Sequence, residues 1–556
     1  MWGMVVACLA FVVQWRVLVP VEANGQGTFD AIGVQTAIQQ RGRNTPRGWG
    51  IVVGHVEGDN QEYGPDRSQG QFRKIHFTMR SGEPKKSTGH ATSAANSLYG
   101  TKGVAIGVSD VHVFSSNDWL TSGYLGMGSL KPPKADDPVR VFSHSWIANP
   151  GEKASLHALA RIDHVADSNH VHIVCGVDNG KQKAVPYLLG SAYNVIAVGT
   201  LTGSSGNYTR IDTEGRCKPD IVGHKGPTSF TTPKVAGIVA GLVEQADRMK
   251  TTHPTARRTD TIRSVLMAGA IKPRGWQPEE GKPLDPLLGS GLVHYNRALT
   301  ILEHPVQVAG KEESAPGWGF YAVRRGGTVT QLFDVENDSE FCLSLNWNRR
   351  VVGLWLNIQA PAPPPEVAAP VPGKGDETES KLEAESEPGA VTPKQVPQID
   401  AVKTRLQDES GQSSTVQVLT PATTAPSVPS REPQPVQKQE KSQTVRGWVP
   451  RPAICDLNLV LERETSTGWE PVAESKSEVD NVEQVYFRDL PAGRYRAQVT
   501  FPDTPMNTPK GDGLPELREI NGWNFALSWW LGPALEEDGK IKRLGRSGTK
   551  TAQTSR

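Results

Sequence analysis

Between Trp49 and Leu302, short apolar runs alternate with stretches of helical periodicity, and this alternation constrains the fold more than any other feature of the chain. The runs are Ile51–Val53, Val104–Val108, Val139–Phe142, Val171–Cys175 and Val195–Val198. Strands so short and so largely apolar need cover on both faces, as in a parallel sheet with helices above and below. Helices are predicted over Thr92–Leu98, Ala154–Val165, the stretch after Ser229, and Thr259–Ala268. In the last, Ile262, Val265, Leu266 and Gly269 recur at i, i+3, i+4 and i+7, one face of a helix. The expectation is an α/β domain over residues 49–305, preceded by a short segment, 24–48.

After residue 313 the period changes. Phe341, Leu343, Leu345 and Trp347 alternate with other residues, as do Leu457, Leu459 and Leu461, and Tyr495, Ala497 and Val499. Turn chemistry at Pro491-Ala492-Gly493 precedes the last of these. Residues 313–353 and 446–533 are therefore expected to form an antiparallel β-sandwich. The intervening 354–445 is rich in Pro, Glu, Lys, Gln, Ser and Thr, with no aromatic residue between Trp355 and Trp448. Such a composition buries too little apolar surface to offset chain entropy, so a disordered Pro-rich spacer is expected, with polyproline II at Pro361–Pro365. Residues 534–556 read as a flexible tail.

Sixty basic residues against 59 acidic ones leave a net charge of +1, which gives no electrostatic basis for a nucleic-acid partner. Residues 1–23, with apolar runs Val5–Val13 and Val17–Val21 on either side of Gln14 and Arg16 and a close on Val21-Glu22-Ala23, read as an export signal, so a secreted or cell-envelope location is expected. No later stretch approaches the ~18 apolar residues of a membrane span. Of five cysteines, Cys8 departs with the signal and Cys175 and Cys217 are read as buried thiols. Cys342 and Cys455 lie on two apolar alternating runs suited to neighbouring strands, which is compatible with a bridge between them.

The sharpest chemical motif is Pro227-Thr228-Ser229-Phe230-Thr231-Thr232-Pro233-Lys234-Val235-Ala236-Gly237. It reads as a serine at the start of a buried helix, with Pro233 tolerated as a first-turn residue. Free N–H groups and the helix dipole would stabilise negative charge forming beside Ser229. The segment resembles the serine motif of the subtilisin-like peptidases. Gly89-His90-Ala91-Thr92-Ser93-Ala94-Ala95 resembles that family's histidine motif, and Ile51-Val52-Val53-Gly54-His55-Val56-Glu57-Gly58 the strand ending in its catalytic acid. Ser143-His144-Ser145-Trp146 resembles the strand lining the substrate groove, through Ser145 and Trp146. Val195-Ile196-Ala197-Val198-Gly199, Lys218-Pro219-Asp220-Ile221-Val222 and Gly289-Ser290-Gly291-Leu292-Val293 are similar to framework segments of the same family, in the same order.

The resemblance implies a subtilisin-like three-layer fold and acyl transfer to Ser229, with His90 as base and an acid orienting it. Three departures stand out. Glu57 occupies the position of an aspartate, with Asp59 and Asp66 nearby but off the strand register. In Cys175-Gly176-Val177-Asp178-Asn179-Gly180, counting back from the glycine gives Asp178 as the oxyanion residue, whereas chemistry favours Asn179. Pro227 replaces a glycine, and the preceding loop is cut to Gly223-His224-Lys225-Gly226. The brief 24–48 segment leaves no room for a folding propeptide.

The β-sandwich resembles pre-peptidase C-terminal domains, which implies an accessory module. The expectation is a secreted serine endopeptidase, a monomer acting on proteins or peptides, with no cofactor, and with a structural calcium left open by the residues. The alternative is a catalytically degraded binding or cell-envelope protein on the same fold. The remaining histidines, among them His55, His144 and His224, form no metal-ligand spacing and read as surface or satisfied core residues.

Overall fold

The computed structural model describes residues 27–58, 62–133, 137–181, 183–306, 308–359, 399–407, 413–421, 444–503 and 520–533. Seven strands build the first sheet: β1 (Val53–Glu57), β2 (His76–Met79), β3 (Asp110–Ser115), β4 (Val141–His144), β5 (His172–Gly176), β6 (Ile196–Thr200) and β7 (Ile221–Gly223). Their order is β2-β3-β1-β4-β5-β6-β7, and every pair is parallel. The helices are α1 (Thr28–Ala31), α2 (Val34–Arg41), α3 (Gly89–Leu98), α4 (Ser116–Asp118), α5 (Glu152–Ser168), α6 (Thr228–Arg248), α7 (Thr259–Ala268) and α8 (Tyr295–Leu302).

Strand pleating divides the apolar side chains between two cores. Val141, Val174, Ile196 and Val198 face the core built by α3, α6, α7 and α8. Phe142, Ile173, Cys175 and Ala197 face the second, against Ala158, Leu159, Ile162 and Val165 of α5. This is the doubly covered sheet expected of unbroken apolar runs. The run Val104–Val108, however, is not a strand. Its Val104, Ala105 and Val108 fill the helix-side core from a loop, with Val104 against Gly237 of α6. Apolarity there reflects packing on a helix, and the true strand is the neighbouring β3.

Beyond residue 308 two sheets face each other. One runs β17-β16-β19-β10-β8 and the other β18-β11-β20-β9. Their strands are β8 (Glu312–Glu313), β9 (Gly317–Arg324), β10 (Thr328–Val335), β11 (Ser339–Asn346), β16 (Asn458–Thr465), β17 (Gly468–Ser475), β18 (Val482–Leu490), β19 (Gly493–Thr500) and β20 (Gly522–Gly532). All pairs are antiparallel except the short β8–β10 contact. Phe333 of β10 meets Phe341 and Trp529 of the facing sheet edge-on, at ring-centroid distances of 5.2 and 5.4 Å.

Strands β12 (Arg350–Gln359), β13 (Ile399–Gln407), β14 (Ser413–Pro421) and β15 (Thr444–Ala453) form a further antiparallel ladder, ordered β14-β13-β12-β15. Within the 354–445 stretch read as a disordered spacer, the structure thus describes strand; the remainder of that expectation, like the export signal and the tail, lies outside the described residues. Cys342 and Cys455 are free thiols and form no bridge. The pleat of β11 explains it: Phe341 and Leu343 point into the sandwich core with Cys455, whereas Cys342 points out toward α7, its Sγ 3.9 Å from the Met267 carbonyl.

The two domains share a buried polar seam. Arg349, which precedes β12, binds Asp163 of α5 at 2.6 Å and also pairs with Asp212. Asn481 donates to the carbonyls of Tyr193 (3.1 Å) and Trp347 (2.7 Å), and the Cys217 N–H donates to Asp480 at 2.7 Å. Arg297 of α8 makes a two-pronged contact with Glu340 of β11, at 3.0 and 2.6 Å.

Candidate active site

Three elements converge at the C-terminal edge of the parallel sheet. Glu57 is the last residue of β1 and only 5% exposed. His90 is the second residue of α3, whose N-terminus is capped by the Thr88 hydroxyl accepting from the Ala91 N–H at 3.0 Å. Small buried residues Ala91, Ala94 and Ala95 let α3 lie close against α6. His90 Nδ1 stands 2.9 Å from Glu57 Oε2. The other carboxylate oxygen, Oε1, is 3.1 Å from His55 Nε2, and His55 Nδ1 is 3.0 Å from the Tyr99 hydroxyl.

This chain of contacts fixes its own protonation pattern. Burial works to raise the Glu57 carboxyl, but hydrogen bonds and charge from His55 and His90 outweigh it and hold the group below the ordinary carboxylate value. Glu57 is therefore an acceptor for both imidazoles. Burial, with the Glu57 charge added, keeps the Tyr99 phenol protonated well beyond its usual range, so it donates to His55. His90 is shifted upward by its hydrogen bond to Glu57, against the opposing effect of burial. With Nδ1 committed to Glu57, the Nε2 of His90 is the atom left to act.

Ser229 is the second residue of α6, half-buried, and its neighbour Phe230 packs on the His90 imidazole with ring centroids 5.3 Å apart. Its hydroxyl makes no hydrogen bond among the described residues, and its backbone N–H is one of the first-turn donors without an intrahelical acceptor. Pro233 turns out to lie beyond the first turn. Its missing N–H is the one that would have reached the Ser229 carbonyl, and the Ser145 hydroxyl donates to that carbonyl instead, at 3.0 Å. Ser145, expected along the substrate groove, thus anchors the start of α6. Trp146, expected beside it, is 8% exposed and turned inward, its indole N–H donating to His144 Nδ1 at 3.2 Å. Burial pushes His144 down to about 3, so it stays a neutral acceptor.

The two oxyanion candidates part company. Asn179 Oδ1 accepts from the Thr228 N–H (2.8 Å) and hydroxyl (3.1 Å), which ties its amide to the residue before Ser229. Asp178 is bound elsewhere: Oδ1 accepts the Asn179 N–H at 2.8 Å and Oδ2 pairs with Lys183 at 3.0 Å. Of the other acids, Asp59 lies outside the described residues, and Asp66 is engaged with Ser68 and Gln69. Sequence reasoning passed over His55 and Tyr99. The available signal was the spacing of two between His55 and Glu57, which puts both side chains on one face of β1.

A buried carboxylate, an imidazole oriented by it and a serine at a helix N-terminus is the arrangement of acyl transfer through a serine nucleophile. The model of the subtilase family, Peptidase_S8, matches residues 59–291, a range that opens just past Glu57. No curated protein matches the sequence. Among solved structures, the patellamide maturation protease PatA is 16% identical, with 46% of this chain and 97% of that one covered at a TM-score of 0.31. MycP1 with its N-terminal propeptide removed is 14% identical, covering 49% of this chain and 97% of that one at a TM-score of 0.33. Fervidolysin from Fervidobacterium pennivorans, a keratinolytic enzyme related to subtilisin, is 17% identical over 57% of this chain and 49% of that one, at a TM-score of 0.32. The subtilase family match falls within the α/β domain that carries the ordered motifs and the seven-stranded parallel sheet, and the chain is similar to that family over this stretch.

Proposed function

We propose that the protein is a secreted serine endopeptidase in which Ser229 is the nucleophile, His90 the general base and Glu57 the acid that orients it. The observation that carries the reading is the 2.9 Å contact between Glu57 and His90 Nδ1, with Phe230 of the nucleophile's helix packed at a tilt against the same imidazole. In the acylation step Ser229 Oγ attacks the scissile carbonyl and its proton passes to His90 Nε2. The imidazolium so formed is stabilised by the Glu57 carboxylate and then protonates the leaving amine. Water repeats the sequence on the acyl-enzyme.

The extra methylene of Glu57 is accommodated by the second imidazole. His55 holds Oε1 while Oε2 takes His90, so the longer side chain has both oxygens fixed. The oxyanion donors are read as the free Ser229 N–H and the Asn179 side-chain amide, because its oxygen already accepts from Thr228 and leaves Nδ2 to donate. Asp178, paired with Lys183, has no part in this reading. Secretion rests on the apolar segment 1–23 alone. Incubation of the purified protein with a fluorophosphonate probe tests the assignment: labelling is expected at Ser229 and is lost in Ser229→Ala and His90→Ala. Undiminished casein or peptide hydrolysis by Ser229→Ala removes it.

A further inference from the structure

The shortened loop before Ser229 borders a cavity of about 630 Å³ that the catalytic reading leaves unused. Its walls include the turn after β6, the His224–Lys225 pair and the segments 271–275 and 285–292. Lys181, Lys225 and Arg274 bring positive charge to the lining, and Asp285 is the one carboxylate among its described residues. That carboxylate is spent within the fold, accepting the N–H groups of Gln277 (2.8 Å), Leu287 (2.9 Å) and Leu288 (2.8 Å). Neither Lys181 nor Lys225 meets an acidic partner among the described residues, and the Nδ1 of His224 is buried without one. The Lys181 stem lies directly over Gly203: a Cβ at that glycine would come 2.7 Å from the lysine Cγ. Leu287 and Leu288 supply apolar wall.

The cavity shares a wall with the reacting centre. Ser204 bridges the Asn179 backbone, and the Ser205 N–H donates to the Asp178 carbonyl at 2.7 Å. Lys181 stands two residues past Asn179, and Lys225 four residues before Ser229. We propose that this cavity is a substrate subsite that accepts a carboxylate, so that the peptidase prefers peptides with an acidic side chain or a free chain end close to the scissile bond. The inference rests on Ser229 and Asn179 marking the reacting centre. Lys181 and Lys225, which meet no acidic partner among the described residues, are complementary to such a group, and the apolar wall suits the methylenes that carry it.

The test is peptide binding to the Ser229→Ala protein, where hydrolysis cannot intervene. Fluorescein-labelled octapeptides of one sequence carry Glu or Gln at each position in turn, with a free or an amidated C-terminus, and affinity is read by anisotropy. The Glu form at one position is expected to bind about fivefold or more tighter than the Gln form, with the difference lost when Lys181→Gln and Lys225→Gln are added. Preference for the free over the amidated terminus, lost in the same variants, supports the subsite with the chain end as its ligand. Equal affinities, no measurable binding, or a preference that survives both lysine substitutions overturns the proposal. Fluorophosphonate labelling of the protein with Ser229 intact reports separately on the nucleophile, so failure of the catalytic reading is recognised independently of the subsite.

Discussion

At the scale of single residues, the distinctive feature is a glutamate serving two histidines. Its carboxylate sets the basicity of His90, so Glu57→Gln is expected to reduce kcat/KM by on the order of 10³- to 10⁴-fold, through loss of the tautomer and of imidazolium stabilisation. The pH profile carries a second signature. His90 must be neutral to act as base, and Glu57 raises it above the ordinary 6.5, so the wild-type acidic limb should lie above that value. Removing the carboxylate should move the limb to lower pH while the plateau falls. An unmoved limb with an undiminished plateau would place the orienting acid elsewhere. The neighbouring pair separates by the same logic: Asn179→Ala is expected to cost about 10²–10³ in kcat, because its donor meets charge that develops only in the transition state. Asp178→Asn should change little between pH 5 and 9, since its carboxylate is engaged by Lys183.

At the scale of elements, the site depends on how β1 and the start of α6 are held. Gly54 lies beside Phe142 of β4, and a Cβ at that position would come within 2.0 Å of the ring. The ring has no room to retreat, packed as it is by Phe114, Trp119 and Tyr124 at centroid distances of 4.7 to 5.8 Å. Gly54→Ala is therefore expected to cost about 1–3 kcal/mol in urea unfolding, the range for overpacked cores. Because Glu57 lies on the same five-residue strand, kcat/KM should fall as well, by up to about a hundredfold for a shift near 1 Å. Unchanged stability together with unchanged turnover would contradict this account of β1. In α6 the interplay of Pro233 and Ser145 has a similar logic: one residue opens a carbonyl and another, from β4's end, fills it.

For the whole molecule, the sandwich is bonded into the peptidase domain through side chains that water does not reach. Asp163 is completely buried on α5, and Arg349 supplies its counter-charge across the seam. Burial alone would lower the Arg349 guanidinium, but Asp212 and Asp163 more than compensate and raise it, which keeps the guanidinium charged. Arg349→Ala strands a buried carboxylate and is expected to destabilise the protein by about 3–5 kcal/mol, read from the urea midpoint of the full chain. The same unfolding curve should be a single transition followed alike by fluorescence and circular dichroism, since α7 packs on the outer face of β11 and β20. Two separated transitions would show that the sandwich is only tethered.

The sequence by itself determined the α/β domain, the alternating strands of the sandwich and the order of the serine, histidine and acid segments, because strand and helix periodicity and local motif chemistry are properties of neighbouring residues. Ser229, His90 and Glu57 are proposed as the reacting residues on such motifs, and the contact between Glu57 and His90 is what the fold adds to them. What the tertiary structure decided depends on residues distant in the chain. Val104–Val108 has a strand's composition, yet it packs on α6 from a loop, because apolarity records burial and not pairing. Cys342 and Cys455 sit in alternating runs, yet the pleat directs them to opposite faces. The proposal of Asn179 over Asp178 draws on contacts with Thr228 and Lys183, and the surroundings of Glu57 include Tyr99 holding His55 across 44 residues of sequence separation. Periodicity states which way a side chain faces; only the packed fold states what it meets there.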